Sequence, residues 1–273
     1  MLNYITWDVD PVLFSLGSIH VRWYGLLWAL GIWFTLVITQ KIFKHEELPD
    51  KWTDKLFIYT VLGAILGARL GHCLFYNPTY YLARPQEILF IWQGGLASHG
   101  GAIGIVISTY LFDKKFSKKG MIWVFDRLVI GVAVCGAMIR LGNLMNSEIY
   151  GGPTTLPWGF IFVRDNQVTP MHPTQIYEAI YCLITFGITY WLYWKREAYK
   201  RTGLIFGVFL IGIFLSRFFV EFIKNNQESF EEGMLLNMGQ LLSIPFIIWG
   251  IWLIMRSYKQ TNNNSASKIS TSK

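Results

Sequence analysis

Apolar residues in this chain gather into long runs separated by short polar intervals. Seven runs approach the roughly 20 residues that a helix needs to cross a bilayer. They lie at about 23–41, 56–76, within 88–112, 121–143, 175–194, 203–223 and 235–255. The pattern predicts an all-α polytopic membrane protein with seven transmembrane helices. A longer polar interval, 142–174, carries Pro153, Pro157, Pro170 and Pro173. Its apolar residues Trp158, Phe160, Ile161 and Phe162 predict an ordered interfacial element rather than a loose loop.

The basic residues orient these spans. Lys41, Lys44, Lys51 and Lys55 follow the first run, and Lys114, Lys115, Lys118 and Lys119 follow the third. Lys195, Arg196, Lys200 and Arg201 follow the fifth, and Arg256, Lys259, Lys268 and Lys273 follow the seventh. The alternate intervals hold only Arg22, Arg84, Arg164 and Lys224. Lysine and arginine accumulate on the cytoplasmic side, so the alternation predicts an N-terminus outside and a cytoplasmic C-terminus. The interval 142–174 then faces outward. Residues 1–258 are expected to form a single transmembrane domain, and the Asn-, Ser- and Lys-rich 259–273 a disordered cytoplasmic tail. No cleavable signal is expected, since the first 20 residues lack a basic region before an apolar core.

Composition agrees. Of 273 residues, 53% are hydrophobic and 15% charged, against about 25% charged in a soluble domain. The 12 Trp, 14 Tyr and 20 Phe suit aromatic belts at the two membrane faces. The net charge of +7 is accounted for by the cytoplasmic clusters, so nucleic acid is not an expected partner. Cys73, Cys135 and Cys182 lie in apolar runs with no metal-ligand spacing, which makes them small core residues.

Four arginines remain inside or at the ends of the runs: Arg69, Arg127, Arg140 and Arg217. Charge at membrane depth is costly and marks function. Arg140 and Asn143 are three apart and share a helix face; Arg217 and Glu221, four apart, do the same. Asn146 and Glu148 follow within the stretch 136–152. Several arginines at one depth repel one another unless an anion lies between them, and a phosphate accepts paired hydrogen bonds from a guanidinium. His99 sits among Gly94, Gly95, Gly100, Gly101 and Gly104, where it can move a proton near neutrality. Asp126 and Arg127 are read as structural. Glu178, a turn into the fifth run, is read as a capping and packing residue, and Tyr24 as an aromatic-belt residue. Together these groups imply an outward-opening polar pocket for a phospholipid headgroup, in a membrane enzyme or a transporter of an anionic lipid.

The stretch Arg140-Leu-Gly-Asn143-Leu-Met-Asn146-Ser-Glu148-Ile-Tyr-Gly151 resembles the signature of the bacterial prolipoprotein diacylglyceryl transferases. So do Ser98-His99-Gly100-Gly101, His172-Pro-Thr-Gln-Ile-Tyr-Glu178, Trp23-Tyr24-Gly25 and Arg217-Phe-Phe-Val-Glu221, in the same order. Ile139, Ile213 and His72 depart from the family pattern, where Gly, an aromatic and Tyr are usual. The resemblance implies transfer of the diacylglyceryl group of phosphatidylglycerol to the lipobox cysteine of a prolipoprotein. A thioether and glycerol phosphate would result, in the bacterial inner (plasma) membrane with the site toward the outer leaflet. It further implies His99 as the base for the thiol, and Arg140 and Arg217 as ligands of the phosphate. Asn143, Asn146, Glu148, Gly151, Tyr24, Arg69, Glu221 and His172 would bind or frame phosphatidylglycerol. No metal or cofactor is expected, and a monomer is. The competing expectation is a transporter or flippase for an anionic phospholipid. It would need no proton acceptor, and it commonly shows an internal repeat that is not evident here.

Overall fold

The computed structural model describes residues 4–17, 19–90, 94–95, 97–225 and 234–270. Eight α-helices carry the fold: α1 (Trp23–His45), α2 (Asp50–Phe75), α3 (Pro78–Ala83), α4 (Ser98–Phe112), α5 (Met121–Met145), α6 (Thr174–Arg196), α7 (Leu204–Val220) and α8 (Met238–Ser270). Four short strands accompany them: β1 (Ile5–Trp7), β2 (Val12–Leu16), β3 (Ile19–Arg22) and β4 (Phe160–Phe162). The chain forms two compact units, one of residues 39–125 and one of residues 1–38 with 126–273.

Five helical segments are long and apolar enough to cross a membrane: 23–45, 50–75, 121–145, 204–223 and 238–260. The other two expected spans fall short for different reasons. The third corresponds to α4, whose 15 residues extend about 22 Å, against a hydrocarbon core of about 30 Å. The fifth corresponds to α6, which has 23 residues but an inward face of Thr174, Gln175, Glu178, Thr185 and Thr189 that lowers its hydropathy. The expected tail at 259–273 falls partly on 271–273, outside the described residues, and partly on helical backbone that continues to Ser270.

In the unit of residues 39–125, α2 and α4 pack along a seam of small residues. Gly63, Gly67 and Gly71 of α2 meet Gly100, Gly104 and Ser108 of α4. A Cβ on Gly104 would lie 1.9 Å from the Gly63 carbonyl oxygen, and one on Gly100 would lie 2.2 Å from that of Gly67. Without a hydrophobic force between helices in lipid, such close backbone approach supplies the packing energy. The face of α2 flanking this seam exposes Leu62, Leu66, Leu70 and Leu74. That stripe at i, i+4 suits lipid tails.

In the other unit, small residues again set the helix contacts. Gly31 of α1 abuts Cys135 of α5, and Gly131 of α5 abuts Thr35 of α1. Gly212 of α7 faces Thr185 of α6, and Gly207 of α7 faces Gly250 of α8. Asp126 caps α7 from α5, accepting the Gly203 N–H at 2.6 Å and the Phe206 N–H at 2.8 Å. An Arg127 Nη donates to the Tyr199 carbonyl at 3.1 Å. The structural reading of that pair therefore holds. The interval after α5 is ordered, as expected. Strand β4 pairs in parallel with β1, and Phe160, Phe162, Met171 and Leu144 form a core with Trp7, Tyr150 and Ile176 packed on it. Strands β2 and β3 form an antiparallel hairpin that leads into α1. The three cysteines are free; Cys73 and Cys182 are buried and Cys135 partly so.

Candidate functional site

The end of α5 builds the site. The helix stops at Met145 and the chain doubles back, with the Glu148 N–H donating to the Asn143 carbonyl at 3.1 Å. Ser147 and Ile149 both take left-handed backbone, with φ of 54° and 61°. For a β-branched residue that conformation is strained, and such strain persists where the surroundings impose it. Here the start of α6 imposes it. The Gln175 side chain donates to the Glu148 carbonyl at 2.7 Å, and the Thr174 hydroxyl to the Ile149 carbonyl at 3.0 Å.

This fold-back turns the Glu148 carboxylate toward the end of the helix. One oxygen accepts from the Asn143 amide at 2.8 Å and from the Asn146 amide at 3.2 Å. Asn143 in turn accepts from Arg140 at 3.4 Å. Arg140, Asn143, Asn146 and Glu148 thus form one hydrogen-bonded group. Tyr24 packs its ring on Gly142 in the middle of the same stretch, where a Cβ would come within 2.8 Å of it. Gly151 permits a close approach of main chains: an added Cβ would lie 2.4 Å from the Ile223 carbonyl oxygen. Its N–H donates to the His172 carbonyl at 2.8 Å. The His172 ring lies 3.3 Å from the Tyr177 hydroxyl, and partial burial lowers its pKa.

On α7, Arg217 and Glu221 form the pair that their spacing predicts, at 3.3 Å. Two residues outside the sequence-derived site set connect this pair to Arg140. Glu178, fully buried, sits 3.0 Å from Arg140 Nε with one carboxylate oxygen and 3.4 Å from Lys224 Nζ with the other. Lys224 lies 3.4 Å from Glu221 as well. The five side chains make an unbroken alternation of charge: Arg140, Glu178, Lys224, Glu221, Arg217. Glu178 is therefore an ion-pair centre and not a capping and packing residue. Its HPTQIYE-type context pointed to it in the sequence; nothing in the sequence paired it with Lys224, 46 positions away.

The ends of the alternation differ from its middle. Arg140 and Arg217 keep about a quarter to a third of their side chains exposed, at 24% and 32%, whereas Glu178, Lys224 and Glu221 are at 6% or less. Both arginines engage their carboxylates through Nε, and one Nη of Arg140 donates to Asn143 at 3.4 Å. Beside Lys224 and Glu148 opens a cavity of about 350 Å³, also lined by Ser147, Tyr150, Asp165 and Asn225. Among the described residues, the buried oxygens Asn146 Oδ1, Ser147 Oγ and Gln175 Oε1 have no hydrogen-bond partner. No cluster of three or more potential metal ligands occurs among the described residues.

Arg69 and His99 belong to the unit of residues 39–125. Arg69 is buried, and its guanidinium donates to four main-chain carbonyls: Ile88 at 2.9 Å, Gly94 at 2.6 Å, Gly95 at 3.3 Å and Glu87 at 2.6 Å. It also stacks on Tyr81. Arg69 thereby holds the glycine-rich segment that leads into α4. His99 stands exposed in the first turn of α4, beside a cavity of about 320 Å³ lined by Gly71, Phe75, Tyr76 and Ile103. Gly100 and Gly104, near it, serve the seam with α2. Residues 93 and 96 of this segment lie outside the described residues.

Apolar helices of membrane length mark a multi-pass membrane protein, and arginines, carboxylates and a lysine form a continuous alternation of charge within it. The sequence profile of prolipoprotein diacylglyceryl transferase matches residues 11–256, and the chain belongs to that family. Among its relatives is the phosphatidylglycerol–prolipoprotein diacylglyceryl transferase of Porphyromonas gingivalis, 53% identical over 94% of this chain and 95% of that protein. The proteins of the same name from Chloroherpeton thalassium and Chlamydia pneumoniae are 44% and 34% identical. They cover 97% and 92% of this chain, and 98% and 94% of their own lengths.

Proposed function

We propose that this protein is a transferase that moves the diacylglyceryl group of phosphatidylglycerol to the lipobox cysteine of a prolipoprotein. This is the first step of lipoprotein maturation. The cysteine sulfur forms a bond to the glyceryl carbon, the carbon–oxygen bond to phosphate breaks, and glycerol phosphate leaves. The thiol proton goes to a base, since the thiolate is the nucleophile. The observation that carries this reading is the pair of partly exposed arginines at the ends of a buried charge alternation, in a member of this family.

In this reading Arg140 and Arg217 bind the phosphodiester and offset the charge that develops on the departing phosphate. Asn143, Asn146 and Glu148, joined by hydrogen bonds, hold the headgroup hydroxyls. Glu221 orients Arg217, Tyr24 flanks the lipid, and Gly151 and His172 frame the outer loop. His99 takes the thiol proton, and Arg69 positions the segment before it. The chain crosses the bacterial inner membrane seven times, with the N-terminus outside and the site toward the outer leaflet. It works as a monomer, with residues 1–258 as the catalytic domain and 259–273 as a cytoplasmic tail.

The test uses purified full-length protein in detergent micelles with phosphatidylglycerol and a lipobox peptide. Mass spectrometry should show a diacylglyceryl-sized gain on the cysteine. Folded protein that gives no adduct would refute the transferase reading and require lipid transport in its place.

A further inference from the structure

Lys224 follows the short 3-10 turn Glu221–Ile223 and carries a side chain only 3% exposed. Its main chain pairs with Gly151, and the neighbouring Asn225 amide donates to the Gly151 carbonyl at 3.3 Å. The lysine is thus tied to the same stretch as Glu148. Its ammonium touches one oxygen of Glu178 and one of Glu221, each at 3.4 Å. Among the described residues, those carboxylates also accept hydrogen bonds from neutral groups. Tyr181 donates to Glu178 at 3.4 Å and Asn237 to Glu221 at 3.2 Å.

We propose that Lys224 is the positioning residue of the phosphate site: it holds Glu178 and Glu221 in place and through them aims Arg140 and Arg217 at one phosphodiester. This rests on the reading of the two arginines as phosphate ligands. The ammonium is the contact that Glu178 and Glu221 share, so it fixes the two carboxylates relative to each other. With the ammonium gone, one carboxylate loses its tie to the other and swings away. The arginine it orients then loses its Nε partner and its direction. The buried position also explains why the group is not itself a ligand. Its side chain is 3% exposed and its ammonium contacts the two carboxylates, whereas Arg140 and Arg217 are 24% and 32% exposed. A buried ion pair adds little net stability compared with apolar packing, so a role in orientation accounts better for three charges buried together.

The experiment compares wild type, Lys224→Met and Lys224→Arg as full-length proteins in detergent, with phosphatidylglycerol and a lipobox peptide. Initial rates are measured against lipid concentration, alongside thermal unfolding. Lys224→Met should lower kcat/KM about 100-fold, the scale of a misplaced binding group. Lys224→Arg, which keeps the charge, should recover most of that loss. The deficit of Lys224→Met should persist well below its unfolding midpoint. Near-normal kinetics in Lys224→Met overturn the proposal. So does Lys224→Arg protein that is folded but as inactive as Lys224→Met, or a deficit that disappears on cooling. If Lys224→Met does not fold, Lys224→Gln is read by the same criteria. Inactive but folded wild type would instead overturn the transferase reading, which keeps the two failures apart.

Discussion

The glycine seam between α2 and α4 makes a quantitative prediction, because two glycines three positions apart meet different surroundings. A Cβ at Gly104 would lie 1.9 Å from the Gly63 oxygen, 2.7 Å from its carbonyl carbon and 3.1 Å from the Gly67 Cα. A relaxed carbon–oxygen contact is about 3.3 Å, so Gly104→Ala must part the helices locally by more than an ångström. A gap of that size forfeits about a quarter to a half of each contact worth ~0.1–0.2 kcal/mol. Over some tens of atom pairs the loss is about 2–3 kcal/mol, and the better helix propensity of alanine returns about 1 kcal/mol. At Gly101 the nearest atoms to an added Cβ are the Ala64 oxygen at 3.4 Å and the Ala68 Cβ at 3.5 Å, which are ordinary contacts. Gly101→Ala should therefore gain about 1 kcal/mol from propensity alone. Heating in detergent, followed by tryptophan fluorescence, should show Gly104→Ala unfolding about 3–6 °C below wild type and Gly101→Ala about 2–4 °C above it. Shifts of the same sign, or a Gly104→Ala midpoint equal to wild type, would refute close backbone packing as the basis of this seam.

Other predictions follow from single contacts. Asp126→Ala leaves two N–H groups at the start of α7 without their acceptor and should cost about 2 kcal/mol. Activity measured below the lowered midpoint should be kept, since Asp126 is 14 residues, or about 21 Å, from Arg140 along α5. Tyr150 donates to Asp165, and burial and that partner push its phenol from 10.0 up to about 12. A raised folded-state pKa means that stability from this group is complete below pH 10 and is lost as pH rises toward 12. The unfolding midpoint of Tyr150→Phe should therefore fall less steeply across that window, and parallel curves would refute the link. His99→Gln should lower turnover about 100-fold or more with little change in KM for lipid; near-normal turnover removes His99 as the base. Arg140→Ala should abolish measurable turnover of phosphatidylglycerol, and unimpaired turnover removes it from the phosphate site.

Local regularities account for what was legible in the sequence. Hydropathy located α1, α2, α5, α7 and α8, because apolar length is a property of one segment. Helical spacing also sufficed for Arg217 with Glu221 and for Arg140 with Asn143, because residues three or four apart share a face whatever surrounds the helix. The motifs around His99 and after Arg140 pointed to the family. The tertiary structure decided the rest. Glu178 and Lys224 join the arginines only through the rotation and height of α6 and the end of α7, which no single-segment period encodes. Gly100 and Gly104 near His99 proved to serve packing on α2, and Arg69 proved to hold main-chain carbonyls. Glycine and arginine suit a ligand and a neighbouring backbone equally well, so only the position of the partner atoms distinguishes the two uses.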